Sequence, residues 1–226
     1  QRQMCIRDRA KIQCMAKVTE VSVLAEGIVS MWLSASGVAK SAKPGQFISL
    51  YCDNSDTLLP RPISLCEVNQ KDGLLRIVFR IVGAGTKEFA AKEKDDEIRI
   101  LGPLGNGFPL DACEKDKTAV LIGGGIGIPP LLELAKQLPC KTTVVVGYRN
   151  ADTFLREELE EAADRVVIAS DDGSIGIKGT VLDAMEAEGV TGDCIFSCGP
   201  TPMLRGVKQW AVSYTHLRAH ETLANL

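Results

Sequence analysis

Val120-Leu-Ile-Gly-Gly-Gly-Ile-Gly-Ile-Pro-Pro130 decides how the second half of this chain is read. An apolar strand over 119–122 runs into three consecutive glycines, a fourth at Gly127, and two prolines that open an amphipathic segment. Glycines at such a turn let the backbone bend sharply and approach a ligand closely. Proline is tolerated in a helix's first turn, where its missing N–H has no helical partner. The free amides and the dipole at that helix start favour an anion. Gly123, Gly124, Gly125 and Gly127 are therefore candidates for cradling a dinucleotide's pyrophosphate.

The flanking sequence alternates. Strands expected at 118–122, 142–147, 165–169 and 193–197 lead to helices at 130–137, 153–162, 181–188 and 202–210. Repeated β-α units predict a doubly wound parallel sheet. The first half reads differently. Short β-branched and apolar runs at 16–23, 28–33, 46–52, 63–68, 74–82 and 97–101 are separated by Gly, Pro, Asp and Asn clusters such as Lys43-Pro-Gly45 and Lys71-Asp-Gly73. That spacing predicts a small antiparallel barrel or sandwich, with one helix over 85–92. The change of pattern and the charged stretch 114–117 place a boundary near residue 112.

Composition narrows the class. At 45% hydrophobic and 24% charged residues the chain is ordinary globular protein. A net charge of −3 gives no basic field for nucleic acid. No apolar run approaches the length that spans a bilayer, and no secretory signal is evident, so the cytoplasm is expected. The eight cysteines are irregularly spaced with no C-x-x-C pair, which argues for buried thiols rather than a disulfide framework.

Both ends fit neither periodicity. Residues 1–10 and 212–226 resemble translated sequencing-adapter read-through and are expected to be a non-native leader and tail. Both histidines, His216 and His220, fall in that tail, so no histidine chemistry is expected.

Three further motifs carry chemistry. In Arg61-Pro-Ile-Ser64, Pro62 biases Arg61 toward extended backbone, and the guanidinium can fork onto a phosphate while Ser64 offers a hydroxyl. Alone, this reads rather as a strand entry with a surface ion pair. Arg80-Ile-Val-Gly-Ala-Gly-Thr86 follows a strand and precedes a helix, so Gly85 and Thr86 form a second phosphate-site candidate, or a plain strand–turn–helix. Gly102-Pro-Leu-Gly-Asn-Gly-Phe108 is an interdomain turn placed where a cofactor would lie across both halves.

In this order, and completed by Cys198-Gly-Pro200, these motifs resemble the ferredoxin–NADP reductase superfamily. Asp171-Asp-Gly-Ser174, Lys178-Gly-Thr-Val-Leu-Asp183 and Cys198-Gly-Pro-Thr-Pro-Met203 are similar to its dihydroorotate dehydrogenase B electron-transfer subunits, over roughly residues 11–211. The resemblance implies an all-β plus α/β architecture: an FAD-binding antiparallel β-barrel over 11–112, then a nicotinamide-binding doubly wound domain over 113–211. It implies that Arg61, Pro62, Ile63 and Ser64 hold FAD, with Ser64 near the flavin N5 edge. Val78, Phe79 and Arg80 would continue that contact, and Gly85 and Thr86 would take the pyrophosphate. Gly123 to Gly127 would receive NADH, with Cys198, Gly199 and Pro200 beside the nicotinamide ring. Asp171 and Asp172, in place of a basic pair after the third parallel strand, favour NADH over NADPH, or else only shape a turn.

The resemblance further implies an FMN-containing dihydroorotate dehydrogenase catalytic subunit as partner, in a heterotetramer. It also implies a [2Fe–2S] cluster held by C-terminal cysteines. Here no cysteine follows Cys198, and the tail stands where that segment belongs, so no cluster is expected in this chain. A related reductase subunit of the ferredoxin–NADP oxidoreductase or sulfide dehydrogenase type, or a non-redox binding module on the same fold, are the alternatives. The hydride chemistry belongs to the cofactors and needs no protein acid, base or nucleophile.

Overall fold

The computed structural model describes residues 11–53, 59–213 and 218–221. The expected leader, residues 1–10, lies outside the described residues. Six antiparallel strands, β1 (Ile12–Ala25), β2 (Ile28–Ser34), β3 (Phe47–Leu50), β4 (Arg61–Asn69), β5 (Leu74–Arg80) and β6 (Glu97–Leu104), close a barrel in the order β1-β2-β5-β4-β3-β6. The barrel-or-sandwich ambiguity is thus resolved by closure, through β1 pairing with both β2 and β6. Alternation drives it: Ile98 and Ile100 are buried while Glu97 and Arg99 between them are exposed. A four-residue helix not expected from sequence, α1 (Ser36–Ala39), packs Val38 and Ala39 into the barrel core. Helix α2 (Ala84–Ala90) packs Phe89 into the same core, edge-on to Phe79 with centroids 6.5 Å apart.

The second half is a six-stranded parallel sheet ordered β10-β9-β8-β7-β11-β12, from β7 (Thr118–Gly124), β8 (Lys141–Tyr148), β9 (Arg165–Ser170), β10 (Ile177–Lys178), β11 (Cys194–Cys198) and β12 (Arg218–Glu221). Helices α3 (Pro129–Gln137), α4 (Arg156–Ala162), α5 (Val181–Ala187) and α6 (Thr201–Ser213) connect them. The chain order reverses between β7 and β11, which creates a crevice at their carboxyl ends. Helix α4 begins later than the expected 153, because Leu155 turns left-handed at φ 59° while the Tyr148 hydroxyl donates to the Phe154 carbonyl at 2.8 Å. Four residues of the segment expected to be a foreign tail, Arg218–Glu221, lie as strand β12 beside β11.

The two halves share a core. Ile28, Cys66 and Val78, on the barrel's outer face, cluster with Ile128, Leu131 and Leu132 at the start of α3. Phe108 completes it, edge-on to Phe196 of β11 with centroids 5.7 Å apart. Its ring fills the space that a side chain at Gly45 would need, and its N–H donates to the Pro44 carbonyl at 2.8 Å. The 102–108 turn therefore fastens the barrel to the sheet.

Charges reinforce this seam. Arg76, 8% exposed, donates to Ser30 Oγ at 2.9 Å and Glu67 at 2.6 Å, and pairs with Glu158 of α4 at 3.3 Å. Lys136 of α3 pairs with the same Glu67. Burial alone would raise the Glu67 carboxyl, but the hydrogen bonds from Lys136 and Arg76 outweigh it and hold the group below its ordinary 4.5. A depressed carboxyl contributes stability that is complete above its unfolded value and lost as pH falls through its folded value. Stability against urea should therefore fall as pH drops below the ordinary glutamate range, and Glu67→Gln should flatten that slope. Equal slopes for the two proteins would disprove the assignment to Glu67.

Candidate functional site

The first half of the site lies where β4 begins and β5 ends. Arg61 opposes Leu50 of β3 and donates from Nη1 to the Leu59 carbonyl at 2.7 Å. Pro62, Ile63 and Ser64 follow on β4, all half-buried, with Ser64 opposite Phe47. A methyl group at Gly85 would lie 3.1 Å from Arg61 Nε and 3.0 Å from Cys52 Sγ, so the glycine lets the arginine lie against the start of α2. Gly83 is exposed, with nothing within 4 Å of where a Cβ would be. The Thr86 hydroxyl accepts from the Val82 and Gly83 amides at 2.9 and 3.1 Å and donates to the Gly83 carbonyl. It shapes the turn, leaving Thr86 to meet an anion through its amide rather than its hydroxyl.

The end of β5 divides its side chains. Phe79 enters the barrel core, and Val78, 2% exposed, enters the core shared with α3. Only their main chain can face a ligand. Arg80, half-buried, carries its guanidinium 3.7 Å from where a Cβ on Gly125 would be. Arg80, three residues before Gly83 in the chain, thus directs its guanidinium to the second glycine turn.

That second turn is held by close packing. Gly123 opposes Cys198 in the parallel ladder. A methyl group at Gly123 would lie 2.8 Å from Leu131, and one at Gly124 would lie 2.7 Å from the Met203 sulfur. At Gly127 it would lie 2.2 Å from the Cys198 carbonyl oxygen and 2.6 Å from Gly199 Cα. Gly125 is left-handed at φ 53°. The structure therefore brings Gly123, Gly124, Gly125 and Gly127 together with Cys198, Gly199 and Pro200 at the carboxyl crevice. The Cys198 side chain belongs to the shared core, whereas Pro200 is exposed at the crevice mouth.

The anion donors differ from the sequence expectation. Pro129 and Pro130 have no N–H, and the Leu131 amide donates to the Ile128 carbonyl at 3.0 Å. The first turn of α3 therefore has few free amides for an anion, and the 3-10 turn Gly125–Gly127 lies directly before it. Across the sheet, β9 is separated from β7 by β8, so Asp171 stands about 10 Å along the carboxyl edge from the glycine turn. Asp171 is exposed. Asp172 is committed to the loop: the Ser174 hydroxyl and amide bond its carboxylate at 2.7 and 2.9 Å and hold it below the ordinary aspartate range.

Sequence reasoning missed Met203, which packs beneath Gly124 and Gly199, and Glu133, a buried carboxylate of α3 bonded to β4. A glutamate within the apolar run 131–135 was the available signal for the second. Among the described residues, no grouping of cysteine, histidine, aspartate or glutamate could hold a metal ion, so they offer no ligand set for an iron–sulfur cluster. Among them, too, no helix is long and apolar enough to cross a membrane.

Residues 121–209 match the oxidoreductase NAD-binding domain family. A dihydroorotate dehydrogenase B (NAD(+)) electron transfer subunit from Geobacillus kaustophilus is 41% identical over 196 residues, covering 85% of this chain and 76% of that one. The subunit of the same name from Listeria innocua is 39% identical over 218 residues, covering 94% and 85%. Among solved structures, an NADH-dependent reduced ferredoxin-NADP oxidoreductase superposes with a TM-score of 0.83 at 28% identity, covering 94% of this chain and 77% of that one. A Neisseria gonorrhoeae ferredoxin NADP+ reductase with bound FAD and NADP shares the fold, with a TM-score of 0.75 at 16% identity over 92% and 98%. With a ferredoxin reductase-like barrel and sheet, and this identity over most of its length, the chain belongs to the family of dihydroorotate dehydrogenase B electron transfer subunits.

Proposed function

We propose that this chain takes electrons from NADH onto FAD and delivers them to a dihydroorotate dehydrogenase catalytic subunit that carries FMN, within a heterotetramer. The observation that carries the reading is Arg80, whose β5 strand leads into the 83–86 turn while its guanidinium reaches Gly125 of the second glycine turn. A cation whose strand leads into one glycine turn and whose charge reaches the other suits two pyrophosphates held near one another.

The barrel, over 11–112, is the FAD domain, and 113–211 is the NAD domain. Both groups fit the residues present. Arg61 forks onto the FAD pyrophosphate at the open Gly83 turn, with the amides of Gly85 and Thr86 beside it. Pro62, Ile63 and Ser64 on β4, and the main chain of Val78 and Phe79 on β5, border the flavin. Ser64 offers its hydroxyl toward the ring edge. The Gly125–Gly127 amides and Arg80 hold the NADH pyrophosphate, and the Cys198, Gly199 and Pro200 main chain borders the nicotinamide. Asp171 faces the adenosine ribose, where a carboxylate accepts from a free 2′-hydroxyl and repels a 2′-phosphate. When bound, the two cofactors supply hydride transfer from nicotinamide C4 to flavin N5. The chain's contribution is alignment and the exclusion of water by the shared core, since positioning alone removes several kcal/mol of barrier, about 7 or more in favourable cases.

The test is spectroscopic. Purified protein supplied with FAD should be yellow and should bleach on anaerobic addition of NADH, and far more slowly with NADPH. Protein that rejects FAD, or whose flavin NADH leaves oxidised, would refute the reading.

A further inference from the structure

We propose that Glu133 is a positioning residue for the transfer between the two cofactors, a role that rests on the function proposed above. Glu133 is in the second turn of α3 and only 6% exposed. Its Oε2 accepts the Val68 backbone N–H of β4 at 2.9 Å, and its Oε1 accepts the side-chain amide of Gln137. Strand β3 covers the outer edge of β4 only from Arg61 to Ser64, with one further bond from the Leu65 amide to the Gln46 carbonyl. Beyond that point the Val68 N–H has the carboxylate where a neighbouring strand would otherwise be.

The two elements joined by this bond each begin at a proposed cofactor contact. Helix α3 continues directly from the Gly125–Gly127 turn, and β4 begins with Arg61. Glu133 lies about 6 Å along the helix from its first residue. It therefore fixes the depth and rotation at which the nicotinamide turn meets the flavin strand. The ion pairs across the seam are less constrained, since Lys136 and Glu158 are 42% and 38% exposed and their pairs are screened by water. A buried carboxylate is costly to desolvate, and an apolar side chain would pack there more cheaply. What the carboxylate adds is a directional, charge-assisted bond to one strand position.

The consequence is kinetic. A displacement of about 1 Å between reacting groups costs roughly a hundredfold in rate. Glu133→Leu fills the volume without an acceptor, and Glu133→Asp keeps the charge but falls one methylene short of Val68. Glu133→Gln keeps a carbonyl for the Val68 N–H, and the Gln137 amide can turn to present its oxygen to the new NH2. In the full chain loaded with FAD, flavin reduction at saturating NADH should fall at least about tenfold in the Leu and Asp variants, with half-saturation by NADH changed less than about threefold. The Gln variant should stay within about threefold of wild type in both. Hydrogen exchange on the FAD-free chain supplies a readout independent of turnover: the Val68 amide and the 123–128 segment should exchange faster in the Leu and Asp variants only.

Wild-type flavin that NADH leaves oxidised would refute the proposed function, while the exchange experiment would still judge the tether. Wild-type reduction matched by the Leu and Asp variants would overturn the role of Glu133. So would a loss confined to NADH half-saturation, or an equal loss in the Gln variant.

Discussion

Gly127→Ala should cost this protein about 3 kcal/mol of unfolding free energy and raise the half-saturating NADH concentration at least about tenfold. The added carbon would lie 2.2 Å from the Cys198 carbonyl oxygen, 2.5 Å from its carbonyl carbon and 2.6 Å from Gly199 Cα. All three are main-chain atoms. Cys198 is tied into the ladder opposite Gly123, so it has no flexible end that can swing aside. Relief requires β11 and the Gly125–Gly127 turn to separate, which opens the crevice at the proposed nicotinamide site. The two losses should therefore appear together, one in urea unfolding and the other in an NADH titration of flavin bleaching. An alanine variant with wild-type melting and wild-type NADH response would show that this contact is neither tight nor functional.

Arg61→Ala should weaken FAD by about 2 kcal/mol, roughly thirtyfold, so that the protein leaves a column largely colourless. The guanidinium lies against Gly85 and is steadied by the Leu59 carbonyl, so its fork is already aimed before a phosphate arrives. Arg61→Lys should recover only part of the affinity, because an ammonium is a point charge without the planar pair of donors. Folding should be little affected, since the side chain is half-buried and its hydrogen bond to Leu59 is exposed. Equilibrium dialysis with FAD measures the effect, and an alanine variant that retains wild-type affinity would remove Arg61 from the flavin site.

Much of this architecture is written in local patterns. The buried Ile98 and Ile100 alternate with charged neighbours. Thr180 and Asp183 cap α5, with the Thr180 amide donating to the carboxylate at 2.7 Å. The glycines of the 120–130 run mark both the turn and the helix that follows, and that is why the sheet and its crevice were readable. Several of the residues that escaped reading depend on contacts far apart in sequence. Val78 and Phe79 belong to one strand motif, yet they enter different cores, a division that only the docking of α3 onto the barrel creates. Two prolines mark the start of α3 but also remove the donors that a helix start normally offers, and for that reason the proposed anion site uses the turn before it. Of the paired Asp171 and Asp172, the second is spent on its own loop through Ser174, the turn-shaping alternative that the sequence also offers. Glu133 looks like an ordinary helix residue until β4 is placed beside it.

Strand β5 has a consequence of its own. Its consecutive residues Val78 and Phe79 serve as a party wall between two hydrophobic interiors, and Arg76 on the same strand links Ser30 and Glu67 with Glu158 across the seam. Pulling that strand loose uncovers both interiors at once, so neither half has a cheap way to melt while its neighbour stays intact. The molecule is in this sense a single cooperative body with two binding turns, and a wound in the barrel is felt in the sheet.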